Sequence, residues 1–369
     1  MKNARFPSEH ALERDAATGA RVHRLTGAPC INHHTYFLNF SLTPDGQSLI
    51  FASNRTGAWQ LFSVEPFPEG EIRQWTDGEP IHPFSPAIHP DGESVYFVRG
   101  GSIWEIRRDT LEERLVVSRD HAQFGEVSLS ADGEWLTAAA RIGSESGLVA
   151  GRTDGRDWTF HRFPRTVIHP QFHPIEPEWI EFAADPAPRM HRIRRDGGGI
   201  ECLYEHSNDE FVVHETFLGR TGDLVYVEWP RALWRMDWTT RERRLICECN
   251  AWHIAPNRAG TVILCDTNHP DRGLLLIDAD TGAQRLAALS QSSNRGSQWA
   301  KSRYALPEDF AAARAALGGN LSWMENAADT VYGPQYTHPH PSFSPSERHV
   351  IFTSDRSGHP QVYAVELDG

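Results

Sequence analysis

The chain has 369 residues, is 39% hydrophobic and 23% charged, and carries a formal net charge of −13. This acidic balance argues against nucleic acid or an anionic membrane as a partner, whereas a small anionic ligand would respond to the local charge of its site. The first residues lack an apolar core and no later apolar run is long enough to span a membrane, so we predict a cytoplasmic protein without a signal peptide.

The cysteines predict free thiols rather than a disulfide framework. They are odd in number and follow no framework spacing: Cys30, Cys202, Cys247, Cys249 and Cys265. Cys247 and Cys249 could act as thiolate ligands of a metal. Alternate positions on a buried strand explain the pair equally well, so we assign no metal to them.

The first recognisable element lies near the N-terminus. Residues 17–26 (Ala-Thr-Gly-Ala-Arg-Val-His-Arg-Leu-Thr) resemble the outer strand of a later unit, which begins at residues 280–286 (Asp-Thr-Gly-Ala-Gln-Arg-Leu). We therefore predict that residues 17–26 complete the last structural unit of the chain, beside residues 362–366. This pairing would tie both termini into one structure.

A repeated pattern then runs through most of the chain. Each copy has a short apolar run, a turn rich in proline, aspartate or glycine, and a β-rich run, as in residues 40–53 and 87–98. Such a unit predicts two strands joined by a tight turn. Most units continue into a further pair of strands, as at residues 59–64, which gives the four strands of one propeller blade.

Superposing the turns identifies one equivalent residue at the start of the first strand of each unit. These residues are Asn39, Ser85, Glu126, His169, His214, His253 and His340. The first five separations are 39 to 46 residues, which fits the repeat length of WD-type blades, and the last, 87 residues, is one blade plus an insertion. We therefore predict an all-β, seven-bladed β-propeller that occupies residues 1–369 as a single domain.

The equivalent position predicts a functional site at the propeller axis. The first strand of each blade lines the central channel, so His169, His214, His253 and His340 would converge although they are far apart in sequence. An alternative interpretation is that the imidazoles cap strand ends by hydrogen bonding to the backbone.

The segment from about residue 290 to 334 interrupts the repeat. Residues 307–317 predict a short helix, because a proline stands at the start and two glycines follow the end. The insertion leads directly into the last blade. Its position suits a lid or wall over the channel mouth, and an oligomer contact is an equally good interpretation.

Residues 335–343 read Gln-Tyr-Thr-His-Pro-His-Pro-Ser-Phe and stand just before a predicted strand. His338 and His340 are two residues apart, so they project to one side of an extended chain. Gln335 adds an amide oxygen that suits a hard or borderline divalent cation. The segment fits either a metal site or a polar loop with satisfied histidines.

The segment 335–343, with support from residues 18–26, resembles the oligogalacturonate lyases, which are seven-bladed propellers that act on short pectic uronides in the bacterial cytoplasm. The resemblance runs the whole chain. It implies a divalent cation, most often manganese, with Gln335, His338, His340 and His253 as ligands. The donor types by themselves also allow zinc, iron, nickel or cobalt. The insertion before Gln335 and the region around residues 32–36 match the family poorly, which leaves the exact uronide open.

The resemblance also implies catalytic residues. The catalytic histidine of the family stands in a His-Glu pair before a strand, as His214 does here, and an arginine of an Arg-Met pair stands 25 residues earlier, as Arg189 does. We expect His214 to accept the C5 proton in β-elimination, and Arg189 to neutralise or orient the substrate carboxylate. His169 is a candidate for substrate contact or leaving-group protonation.

Three alternatives remain open from the sequence. One is a lyase for another glycuronan, which would use the same metal and His214. A second is a non-catalytic propeller similar to TolB that binds protein partners, which the repeat fits but the channel histidines do not. A third is a metal-dependent hydrolase or isomerase on the same scaffold; hydrolysis would need paired carboxylates, for which Glu126 and Glu215 are the candidates near the axis.

Overall fold

The computed structural model describes residues 1–66, 70–207, 209–268, 270–294 and 336–367. Within these ranges the chain forms thirty strands in seven antiparallel sheets and no helix. The prediction of an all-β, seven-bladed propeller is confirmed. The predicted helix 307–317, and the insertion from residue 295 onward, lie outside the described residues.

The strands are numbered in chain order. Three N-terminal strands come first: β1 Arg5–Phe6, β2 Ala11–Arg14 and β3 Arg21–Arg24. Blades 1 to 3 follow: β4 Asn32–His34, β5 Leu49–Ser53, β6 Gln60–Val64 and β7 Ile72–Gln74; β8 Ala87–Ile88, β9 Ser94–Arg99, β10 Ser102–Arg107 and β11 Glu113–Ser118; β12 Ala122–Leu129, β13 Trp135–Ile142, β14 Glu145–Arg152 and β15 Thr159–Arg162.

Blades 4 to 7 complete the ring. Their strands are β16 Thr166–Phe172, β17 Trp179–Asp185, β18 Met190–Arg194 and β19 Glu201–Cys202; β20 Val212–Phe217, β21 Leu224–Glu228, β22 Ala232–Met236 and β23 Arg243–Glu248; β24 Ala251–Pro256, β25 Val262–Thr267, β26 Leu274–Asp278 and β27 Gln284–Ala288; β28 Ser342–Phe343, β29 His349–Ser354 and β30 Gln361–Glu366.

Each blade is an antiparallel meander in which the first strand is innermost. The order is simple in blades 2 to 6, whereas β1 adds an outer strand to blade 1 and β3 and β2 complete blade 7 in the order β28-β29-β30-β3-β2. Val22 of β3 pairs with Val365 of β30. The predicted closure of the last blade by residues 17–26 is thus confirmed.

The central strands of a blade are apolar on both faces because each blade lies between two others. All five residues of β5 are buried, whereas the outer strand β23 is largely exposed. The buried side chains of the described residues form seven clusters, one at each interface between neighbouring blades, including the interface of blade 7 with blade 1. The ring is therefore closed by packing as well as by strand pairing.

The tight turns between first and second strands have the residue types that the sequence predicted for them. In blades 1 and 2 the Pro-Asp-Gly turns end with Gly46 and Gly92 at φ of 70° and 78°, a conformation that glycine adopts without a steric penalty. The Asp45 carboxylate accepts a hydrogen bond from the backbone N–H of Gln47 at 3.0 Å. These turns stand at one end of the channel, which leaves the beginnings of the first strands at the other.

Candidate functional site

The first strands of four blades carry a β-bulge at the same point. In β16 two residues, 169 and 170, lie opposite one residue of β17, and the same irregularity occurs at residues 125–126, 214–215 and 252–253. His169 and His214 have φ of 55° and 54°, which is rare for residues other than glycine. Because a bulge redirects side chains, it matters where in the bulge a residue lies. His169 and His214 are the first of the two bulged residues, whereas Glu126 and His253 are the second, so the sequence alignment is correct to within one residue.

The bulges bring the channel histidines together. The ring centroids of His169 and His214 are 6.1 Å apart, those of His214 and His253 are 4.5 Å apart, and those of His253 and His340 are 3.9 Å apart. All four residues are buried. The predicted convergence of these histidines on one axis is confirmed.

A segment of blade 1 crosses the channel and was not anticipated from the sequence. Phe37 follows β4, yet its ring lies within 6.3 Å of the rings of four histidines from blades 4 to 7: His169, His214, His253 and His340. The channel is therefore filled at its centre. This region matched the family poorly in sequence, so a comparison of repeats gave no reason to place it at the axis.

Blade 1 also contributes a histidine, His33, which the repeat pattern did not select. Its Nε2 lies 3.1 Å from Nδ1 of His340. Asn39, which the repeat pattern did select, lies outside a strand, and its side-chain amide donates to the carbonyl of Val127 across the channel. The adjacent histidines His33 and His34 in β4 could have indicated a functional position in blade 1. Their distance along the chain from the next blade, however, does not match the repeat that selected the other histidines.

The hydrogen bonds fix the tautomers of two channel histidines. Nδ1 of His253 lies 2.7 Å from Oδ2 of Asp266, and Nδ1 of His340 lies 3.1 Å from the carbonyl oxygen of His338. Carboxylates and carbonyls only accept hydrogen bonds, so both Nδ1 atoms carry the proton. In the neutral ring Nε2 then has a lone pair, and neither Nε2 atom has a hydrogen-bond partner among the described residues.

Two buried imidazole lone pairs side by side fit a divalent cation, because neutral imidazole nitrogen is a common ligand for such ions. The ring of His338 lies 5.7 Å from that of His253 and 6.0 Å from that of His340. No three histidine, cysteine or acidic side chains in the described ranges have their donor atoms gathered at one point. A cation held by all three histidines would therefore require their rings to turn. The fourth predicted ligand, Gln335, lies outside the described residues.

Arg189 is buried next to the catalytic candidate and is held by two carboxylates. Its Nε donates to Oε1 of Glu215 at 2.9 Å, its Nη2 donates to Oε2 of Glu215 at 3.3 Å, and its Nη1 contacts Oδ1 of Asp185. Burial alone would raise the pKa of Glu215, but the ion pair with Arg189 lowers it overall. The guanidinium is thus rigidly oriented, and the two carboxylates already balance its positive charge.

His169 belongs to a second buried polar group. Its Nε2 lies 2.9 Å from the hydroxyl of Tyr36 and 3.7 Å from Oε1 of Glu126. Neither carboxyl oxygen of Glu126 has a hydrogen-bond partner among the described residues. Burial raises the pKa of Glu126 to about 8, so this carboxyl is mostly protonated at neutral pH.

Burial keeps three of the channel histidines, His169, His214 and His340, uncharged. It lowers the pKa of His214 and of His340 well below the usual value. Burial likewise lowers the pKa of His169 to about 3 and that of His34 to about 4. Near neutral pH these side chains are therefore neutral imidazoles, the form that binds metals and accepts protons.

The opposite end of the channel holds a separate cavity of about 370 Å³. Phe37 contributes to its lining, so this ring separates the cavity from the histidines. Its walls are mainly the apolar turn residues at the ends of the first strands, with Arg220 and Arg258 among the lining residues. The histidine cluster, and not this cavity, is the candidate functional site.

Comparison with known proteins finds sequences named as oligogalacturonate lyases. A family model described as oligogalacturonate lyase matches residues 1–140. The oligogalacturonate lyase of Dickeya dadantii is 25% identical, with 96% of this chain and 95% of that protein covered, and the oligogalacturonide lyase of Pectobacterium atrosepticum is 24% identical, with 99% and 98% covered. The chain is thus similar to oligogalacturonate lyases over nearly its whole length.

The fold of this chain is also that of solved oligogalacturonate lyases. A structure of an oligogalacturonate lyase in complex with manganese superposes with a TM-score of 0.82 at 22% identity, covering 100% of this chain and 98% of the other. The enzyme of Vibrio parahaemolyticus superposes with the same TM-score at 19% identity, covering 100% and 99%.

In the described part of the present chain, no helical segment has the length and hydrophobicity of a membrane span.

Proposed function

We propose that this protein is a metal-dependent lyase that cleaves short oligogalacturonides by β-elimination and releases 4,5-unsaturated uronides. The observation that carries the proposal is the buried pair of Nε2 lone pairs on His253 and His340 beside the neutral imidazole of His214. Relationship to oligogalacturonate lyases over nearly the whole chain supports the substrate class.

The cation is proposed to be Mn²⁺, held by His253, His338 and His340 together with Gln335. Mixed imidazole and oxygen donors suit this ion, and a structural relative was solved in complex with manganese. Bound there, the cation would supply positive charge near the C6 carboxylate of the substrate and so make the C5 proton more acidic.

His214 is proposed to accept the C5 proton. Its Nδ1 has no hydrogen-bond partner among the described residues, and burial keeps the ring uncharged and able to act as a base. As the C5–H bond breaks, its electron pair forms the C4–C5 double bond, and the C4–O bond to the leaving sugar breaks. The leaving oxygen takes up a proton, and we assign substrate contact or delivery of that proton to His169.

Arg189 is proposed to orient the substrate. Two carboxylates already share its charge, so it neutralises a bound uronate less than a lone arginine would. Its fixed planar guanidinium still suits a carboxylate or sugar hydroxyl. The bidentate contact with Glu215 couples the position of Arg189 to the bulge that carries His214.

We propose that the enzyme acts in the cytoplasm on a small anionic oligosaccharide. All five cysteines are free, and the thiols of Cys249 and Cys265 remain unlinked although they are hydrogen bonded to each other. Adjacent unlinked thiols are typical of proteins kept in a reducing compartment.

The experiment that tests the function is ultraviolet absorbance of the unsaturated product during incubation with di- and trigalacturonate. The protein is assayed as purified, after chelation, and after addition of Mn²⁺ to the chelated sample. We expect absorbance to rise, chelation to abolish the rise and Mn²⁺ to restore it. No rise on galacturonides with metal bound would overturn the proposed substrate, and a rise on another glycuronan would identify the correct one.

A further inference from the structure

Asp266 lies opposite the bulge that carries His253, and this position differs between blades. The single residue opposite each of the four bulges is Ala139, Phe182, Tyr226 or Asp266. All four are buried. Among these four positions, only that of blade 6 is acidic, and blade 6 supplies the proposed metal ligand His253.

The carboxylate of Asp266 contacts both chain segments that would hold the metal. Oδ1 accepts the backbone N–H of His253 at 2.6 Å, and Oδ2 lies 2.7 Å from Nδ1 of the same residue. Oδ2 also accepts the backbone N–H of His340 at 3.3 Å. The residue is 1% exposed, so these donors replace the water that a carboxylate needs around it.

From these contacts we propose that Asp266 is the residue that positions the metal ligand His253, by holding its proton on Nδ1 and its Nε2 lone pair toward the channel. This inference rests on the proposed metal-dependent function. A carboxylate behind a ligating histidine fixes the ring orientation and raises the basicity of the ligating nitrogen. Asp266 also joins blade 6 to the loop before blade 7, so a single carboxylate sets the position of His253 relative to His340.

Asp266→Asn tests the inference sharply because the amide has one acceptor and one donor group. The backbone N–H of His253, at 2.6 Å, is the closer of the two backbone donors and retains the amide oxygen, so the amide NH₂ takes the place of Oδ2, faces Nδ1 of the ring and gives up the longer 3.3 Å contact with the N–H of His340. Nδ1 becomes an acceptor and the ring proton moves to Nε2. The nitrogen proposed to bind the metal would then be blocked, although the shape of the side chain is almost unchanged.

The first measurement is the tautomer of His253 in the metal-free protein by long-range ¹H–¹⁵N NMR on histidine-labelled samples. Comparison with His253→Gln assigns the signal. We expect the Nδ1–H tautomer in the unmodified protein and the Nε2–H tautomer in Asp266→Asn. An Nε2–H tautomer in the unmodified protein overturns the proposal, whether or not any variant folds.

The second measurement is the dissociation constant for Mn²⁺ by calorimetry. We expect Asp266→Asn to weaken binding about 10- to 100-fold. The matched control is Asp15→Asn, which alters another buried aspartate that accepts backbone hydrogen bonds, here from Ala17, Thr18 and Leu289. Among the described residues, no histidine forms a hydrogen bond or ion pair with Asp15. The control is expected to keep the affinity of the unmodified protein.

These outcomes separate the positioning role from the proposed function. If Asp266→Asn binds Mn²⁺ as tightly as the unmodified protein, the positioning role is wrong while the lyase proposal stands on its own assay. Equal weakening in Asp15→Asn would also overturn it, because the effect would then be one of general stability. If the protein cleaves no uronide, the tautomer and the Mn²⁺ affinity still decide the role of Asp266.

Discussion

At the scale of single residues, the proposed roles of His214 and His253 are separable although their rings are neighbours. His253→Ala removes a buried lone pair beside His340 and is expected to lower bound metal and turnover together. His214→Ala leaves that pair in place and is expected to retain the metal while turnover falls by about 100-fold or more. Metal analysis and product absorbance on the same samples check both. Equal metal loss in the two variants would contradict the assignment.

The raised pKa of Glu126 predicts that the free energy of unfolding depends on pH. Burial raises its pKa from the ordinary 4.5 to about 8 in the folded protein. Between these values the folded state keeps a proton that the unfolded state has released, so stability falls as pH rises through this window. Glu126→Gln removes the effect. Relative to the unmodified protein, the variant is expected to be more stable by about 3 to 5 kcal/mol at about pH 9, with little difference at about pH 4.

Urea unfolding at the two pH values measures this difference. The control is Glu134→Gln on the same blade, whose side chain is 61% exposed, and a surface change of this kind is expected to alter stability by about 0.5 kcal/mol or less. If Glu126→Gln gave the same small change at both pH values, the buried carboxyl would have to be ionised at neutral pH.

At the scale of elements, β3 is the strand that closes the ring. Val22 of β3 is fully buried between blades 6 and 7 in a cluster with Leu276 and Val365. Val22→Ala leaves a cavity at this interface and is expected to cost about 2 kcal/mol of unfolding free energy. The adjacent Arg21→Ala removes only an exposed pair with Glu366 and should cost about 0.5 kcal/mol or less.

Denaturant unfolding of both variants compares these costs. Equal effects of the buried and the exposed substitution would show that β3 does not contribute to closure. β3 and its partner β30 are far apart in sequence. Their pairing makes the N-terminal segment part of blade 7, the blade that follows the proposed ligands His338 and His340.

At the scale of the whole molecule, the proposed metal joins two blades and should stabilise the ring. A ligand that binds only the folded state adds about 2.7 kcal/mol at a concentration 100 times its dissociation constant. We expect Mn²⁺ to raise the thermal unfolding midpoint of the chelated protein, and His253→Ala to abolish the shift. Calorimetric scans measure both. An unchanged shift in His253→Ala would mean that the ion binds elsewhere.

Much of the architecture was readable from the sequence because propeller blades repeat a local pattern. Apolar runs alternate with Pro-Asp-Gly turns, and each unit of this kind forms strands and turns from nearby residues alone. The places of His169, His214 and His253 at the bulges of their blades follow from the same spacing to within one residue. Convergence of these histidines was therefore predictable, since a ring of like units places like positions around one axis.

The contribution of blade 1 was not readable in this way. Phe37 and His33 stand in a segment whose spacing departs from the repeat, so their place at the axis depends on how the chain crosses the channel. The shared charge of Arg189 was equally hidden, because Asp185 and Glu215 belong to different blades and meet it only after folding. Gln335 and the insertion before it remain predictions from the sequence.

The sequence by itself determined the fold, the closure of the last blade and the set of channel histidines, because all three depend on local patterns and their spacing. Only the tertiary structure decided which nitrogen of each histidine has a lone pair, which acids are protonated and what fills the axis. These properties depend on burial and on partners such as Asp266, on the strand next to that of His253, and Tyr36, which is 133 residues from His169. Hydrogen bonds and desolvation act between neighbours in space, and the spacing of residues along the chain does not specify them.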